Sequence, residues 1–150
     1  MRLTAEEFRK LHYRQVKRRQ PEQGLHRAVA DYLRMALPED GDVFWFHCPN
    51  GGMRNKAEAA MFKRMGVKAG VPDICIVHDA QFYGIELKDI DAPLSQAQKK
   101  THRSLREAKA KLVTCRSVDD VQQALDRWNI PVRCRTFGWV PRKIDQRDAA

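Results

Sequence analysis

Gly70-Val71-Pro72-Asp73-Ile74-Cys75-Ile76-Val77-His78-Asp79-Ala80-Gln81-Phe82-Tyr83-Gly84-Ile85-Glu86-Leu87-Lys88 is the stretch from which the fold is read. Ile74 to Val77 is a short continuous apolar strand, residues 78–81 are a polar connection, and Phe82 to Lys88 is a second strand. Together they predict a hairpin. Glu86 and Lys88 stand two apart, so the two-residue period of a strand sets them on one face, with Ile85 and Leu87 on the other, toward the core. Asp73 enters the first strand directly after Pro72, where the hairpin brings it near Glu86. Two carboxylates converging with a lysine suit metal-assisted phosphodiester hydrolysis. The acids hold Mg²⁺ or Mn²⁺ through oxygen, and an ammonium orients water and offsets charge growing on phosphorus. Each residue also has a plainer use. An aspartate after proline is often a turn or cap, and Glu-x-Lys is often an ion pair on a solvated strand.

Working outward, the periodicity fills in a complete α/β domain. Residues 4–19 read as a thinly amphipathic helix. Pro21 opens the next helix, in which Leu25, Val29, Tyr32, Leu33 and Ala36 recur at three- and four-residue spacing. Val43 to Cys48 is rich in β-formers and predicts a strand, with Phe44, Trp45 and Phe46 expected in the core. A turn at Pro49 to Gly52 leads to a helix with Ala57, Ala60, Met61 and Met65, which Gly66 ends. Ser95 with Gln98 is a capping-box signature for a helix to about residue 109, with Ala97, Thr101, Leu105 and Ala108 on one face. Lys111 to Cys115 is a strand, and Ser117 caps a last helix over 118–128 with Val121, Ala124, Leu125 and Trp128 inward. The order is α, β, α, β–β, α, β, α: a mixed sheet flanked by helices. The stretch 129–150 reads as irregular.

Composition narrows the class of function. The chain has 150 residues and a formal net charge of +9, enough for one core and a marked attraction to polyanions. The basic excess sits at the ends: residues 1–20 carry seven basic residues against two acidic, and 133–150 five against two. Such ends suit phosphate gripping, with Lys17, Arg18 and Arg19 as candidates, although solvated tails share the pattern. No apolar run approaches the roughly 18 residues of a membrane span, and the first residues lack a signal-peptide core. Four scattered cysteines without a CxxC pair suggest reduced, buried thiols rather than a zinc cage, and with it a cytoplasmic setting.

Four motifs in order complete the reading: His47-Cys48-Pro49-Asn50-Gly51-Gly52-x-Arg54, Gly66-x-x-x-Gly70-Val71-Pro72-Asp73, Ile85-Glu86-Leu87-Lys88 and Leu94-Ser95-x-x-Gln98. Over residues 20–130, roughly, the chain resembles the VRR-NUC family, virus-type replication–repair nucleases of the PD-(D/E)xK superfamily. The resemblance implies a restriction-endonuclease-like αβββαβ core with an extra helix after the first strand. It implies a metal-dependent nuclease in which Asp73, Glu86 and the Leu87 backbone carbonyl hold Mg²⁺ or Mn²⁺ and Lys88 is the catalytic lysine. Glu22, on the inward stripe of its helix, suits the helical carboxylate of many superfamily members, or simply complements the helix dipole. Gln98 matches the family's site glutamine, or serves only the capping box. Asn50, Gly51 and Arg54 carry over as a loop close to DNA. One departure is Lys109, where family members often have glycine, so that a different helix ending is expected here.

The expected organisation is a basic extension (1–20), the nuclease domain (21–130) and a basic tail (131–150). Small stand-alone members of the family resemble phage-type resolvases, which suggests a homodimer cutting branched DNA such as a Holliday junction in a bacterial or phage-infected cytoplasm. Flap or nicking cleavage is the alternative substrate reading. A basic nucleic-acid-binding module without chemistry would explain the charge but leave Asp73, Glu86 and Lys88 incidental. A ribosome-associated RNA binder lacks the expected stacking patch. His12, His26, His78 and His102 show no ligand spacing and read as surface or core.

Overall fold

A computed structural model describes residues 22–37, 39, 41–49 and 55–136. The expected helix over 4–19, Pro21 and all but Pro49 of the expected turn at Pro49 to Gly52 lie outside the described residues. The elements are α1 (Glu22–Ala36), β1 (Val43–His47), α2 (Lys56–Arg64), β2 (Ile74–His78), β3 (Gln81–Leu87), α3 (Gln96–Glu107), β4 (Lys111–Cys115) and α4 (Val118–Arg127). This is the expected order and the expected α/β class. The sheet runs β1-β2-β3-β4, with β1–β2 and β2–β3 antiparallel. A helical crossover through α3 joins β3 to β4, the length of connection a parallel neighbour needs. Asp79 and Ala80 link β2 to β3 at φ 49° and 58°, as in a two-residue type I′ turn. β3 ends at Leu87, so Lys88 stands one residue past it.

Chain contacts form two compact units. Among the described residues, one holds α1, 87–92 and 115–136. In it the stripe Leu25, Val29, Tyr32, Leu33 and Ala36 is buried, as are Val121, Ala124 and Leu125 of α4. The Tyr32 hydroxyl donates to Gln122 Oε1 in this core. Arg133 holds the end of α1: its amide donates to the Ala36 carbonyl (2.8 Å) and its guanidinium to that of Leu37 (3.2 Å).

The second unit holds 41–86 and 93–114. One face of its sheet carries buried Val43, Ile74, Ile76, Tyr83 and Ile85; the other carries buried Cys75, Gly84 and Glu86. Phe44 and Phe46 share that second face but are 67% and 42% exposed, and only Trp45 is half-buried. The expectation of three core aromatics is therefore corrected. β1 is the end strand of the sheet, and β-propensity marks a strand without saying which of its faces is covered. The inward face of α3 is also corrected. Ala97 and Ala108 are exposed, and the helix buries His102 flanked by half-buried Gln98, Thr101 and Leu105. The four cysteines form no disulfide, and burial pushes the Cys75 thiol up to about 11 and Cys115 to about 12. No helix among the described residues is long and apolar enough to cross a membrane.

Three helices end alike. After α2 the amides of Gly66 and Val67 donate to the carbonyls of Lys63 and Phe62; after α3, Lys109 and Ala110 donate to Arg106 and Leu105; after α4, Asn129 and Ile130 donate to Asp126 and Leu125. Each is a Schellman motif, with Gly66, Lys109 and Asn129 at positive φ (91°, 68° and 56°). Lys109 thus takes the same left-handed ending that glycine would take, not a different one. Its side chain makes that conformation cost about 1 kcal/mol. Lys109→Gly is expected to raise the melting temperature by about 2–4 °C in thermal unfolding, whereas Lys109→Ala, which keeps a Cβ, gains nothing.

Candidate active site

Asp73 is placed by the segment before it. Gly70 has φ +77°, and a Cβ there would lie 2.5 Å from the Ala97 carbonyl carbon and oxygen and 2.6 Å from the Gln98 nitrogen. Only glycine lets this turn lie against the start of α3. Thr101 Oγ1 donates to the Ala69 carbonyl at 2.6 Å, tying the turn to the same helix. Two residues on, Pro72 seats over Gly84 of β3, where a Cβ would lie 2.6 Å from the proline Cγ. The Asp73 carbonyl then accepts from the Cys48 amide and lies at the same distance, 2.8 Å, from His47 Nδ1. That contact puts the proton of His47 on Nδ1.

Strand register brings the second carboxylate alongside. Ile74 opposes Ile85, so Asp73 opposes Glu86, and directly opposed residues share a sheet face with their Cβ atoms about 5 Å apart. Glu86 is 1% exposed, far more enclosed than a side chain on a solvated strand face. Gln98 reaches it from α3. Its Oε1 accepts from the Ser95 amide (2.8 Å), the Ser95 hydroxyl accepts from the Gln98 amide (3.2 Å), and its Nε2 donates to Glu86 Oε1. Capping box and site contact, read from sequence as alternatives, are served by one side chain.

One turn further along α3, His102 (2% exposed) places Nε2 3.5 Å from Glu86 Oε2. Burial holds its pKa below the usual imidazole value, Arg106 adds to that, and the Asp73 carboxylate opposes both. Asp73, Glu86, Gln98 and His102 therefore surround one spot.

No family model and no curated protein matches the chain. A solved structure does: a VRR_NUC domain protein, 26% identical, with a TM-score of 0.55, covering 71% of this chain and 86% of that one. The fold is VRR-NUC-like. Because most of the other chain is covered, the likeness is to a whole domain and not to one hairpin.

Within this VRR-NUC-like fold the other predicted residues stand as follows. Leu87 is fully buried, and the Lys88 amide donates to the Cys115 carbonyl at 3.0 Å. Both belong to the unit that contains α1. Glu22 begins α1, but its side chain lies outside the described residues, as do Asn50, Gly51, Arg54, Lys17, Arg18 and Arg19. Among the histidines it is His102, expected only as a surface or core residue, that the structure brings to Glu86. The signal for it was helical spacing, since it follows Gln98 by four positions and so shares its face. No group of three or more His, Cys, Asp or Glu side chains among the described residues is set to hold a metal. Two carboxylates on one face are nevertheless a fitting oxygen donor set for Mg²⁺ or Mn²⁺, because Mg²⁺ is usually bound by one or two carboxylates with water and phosphate.

The glycine that seats Asp73 is open to test. Gly70→Ala combines overpacking with a left-handed non-glycine residue and is expected to cost about 2–4 kcal/mol. The midpoint of denaturant unfolding should fall while its slope stays unchanged.

Proposed function

We propose that this VRR-NUC-like chain is a divalent-metal-dependent nuclease that hydrolyses phosphodiester bonds in branched DNA, acting as a homodimer on Holliday junctions. The observation that carries the reading is the pairing of Asp73 with Glu86 on one sheet face, beside Gln98. On this reading Mg²⁺ or Mn²⁺ would be held by the two carboxylates and the Leu87 carbonyl, with Glu22 assigned as a further oxygen donor. The bound ion supplies Lewis-acid polarisation and a more acidic water. The protein's own share is distinct: Gln98 restrains the Glu86 carboxylate, and the Lys88 ammonium orients the attacking water and offsets charge on phosphate. The net charge of +9 gives affinity for the backbone, to which Lys17, Arg18, Arg19, Asn50, Gly51 and Arg54 are assigned. Two copies of the site related by a two-fold axis suit symmetrical cutting of a four-way junction.

The test is a gel series of junction, flap, duplex and single-stranded DNA in Mg²⁺ and in Mn²⁺. Preferential junction cleavage is expected, abolished by EDTA. Asp73→Ala and Lys88→Ala are each expected to lower cleavage at least about 100-fold while DNA binding stays near wild type. Preference for flaps or nicks would move the substrate assignment, and equal cutting of all four would end structure selectivity. Tight binding without cleavage in either metal would favour the binding module.

A further inference from the structure

We propose that His102 is a positioning residue that, acting through Glu86, sets how tightly the site takes up a divalent ion. The inference rests on the nuclease reading above. Its basis is that α3 presents two side chains, four residues apart, to the two oxygens of one buried carboxylate. Gln98 Nε2 donates to Oε1, and His102 Nε2 lies 3.5 Å from Oε2. A carboxylate held at one oxygen can still swing about its terminal torsion, whose wells are broad. A second donor closing on the other oxygen would leave it one plane, with its remaining acceptor positions in fixed directions. Fixing a ligand before the ion arrives lowers the ordering cost of binding.

The kind of residue is informative. A lysine or arginine here would neutralise Glu86 and compete with a cation, while a leucine would fit the helix stripe but restrain nothing. An imidazole offers the second carboxylate oxygen a single ring N–H, as Gln98 offers the first its amide. The 3.5 Å separation is just beyond hydrogen-bond length, and such contacts often shorten when a site is loaded. Supporting groups of this kind around a metal ligand typically change affinity 10–100-fold.

The experiment titrates the full chain with Mn²⁺ alone, without DNA, by calorimetry, and measures metal-free thermal unfolding in parallel. His102→Leu is expected to weaken Mn²⁺ binding about 10–100-fold, with the metal-free unfolding curve showing that the variant is folded at the titration temperature. His102→Gln, which keeps an N–H donor, should restore affinity to within a few-fold. Mn²⁺ affinity in His102→Leu equal to wild type would overturn the proposal, as would equal losses in the Leu and Gln variants. Should the variants fail to fold, the imidazole ¹⁵N signals of His102 in the wild-type chain are followed during Mg²⁺ addition. A saturable shift supports the proposal, and no change at saturating Mg²⁺ overturns it. Absence of any divalent binding by the wild type would instead sink the nuclease reading, and is distinguishable because it appears before any variant is made.

Discussion

Burying a carboxylate is the constraint around which this sheet is arranged. Left without partners, an ionised Glu86 inside the fold would cost several kcal/mol, and its neighbours are polar groups brought in from another element. α3 turns a glutamine and a histidine inward where an ordinary amphipathic helix would place leucines. Its first turn accepts the glycine-sharpened segment at 69–72, which sets Asp73 opposite Glu86. A helix start, a close-packed turn and a strand register thus meet at one carboxyl group.

That convergence accounts for which positions tolerate only one residue type. Gly70 and Gly84 are needed because main chain and proline ring approach where a Cβ would sit. Gly66, by contrast, has open space around it and is there for its positive φ alone. Lys109 and Asn129 take the same left-handed conformation without being glycine, so the Schellman ending is set by the hydrogen bonds it satisfies, and residue type sets only its cost.

Much of this was legible in the sequence because it is local. Capping residues and the inward stripe of α1 follow from spacing of three to four residues, and the pairing of Asp73 with Glu86 follows from the short turn that folds β2 back on β3. What escaped was long-range. Nothing near Phe44 and Phe46 reveals that β1 lies at the end of the sheet, and nothing near Glu86 reveals that both sides of β3 are covered. On α3 the apolar positions do not mark the buried side, because polar side chains occupy it. His102 lies on that same polar face, four residues after Gln98, and no pairing with another metal-ligand residue type marks it in the sequence. At Lys109 the reverse holds: the residue type argues against a left-handed ending that the backbone nevertheless adopts.

The double duty of Gln98 has a thermal consequence. Its carbonyl oxygen closes the first turn of α3 and its amide nitrogen steadies Glu86, so fraying of that helix end and loosening of the carboxylate are one event. Helix ends open at far smaller free energy than whole domains. On warming, the first turn of α3 would let go of Glu86 while the strands stay intact, so the order of this carboxylate is governed by a single helical turn.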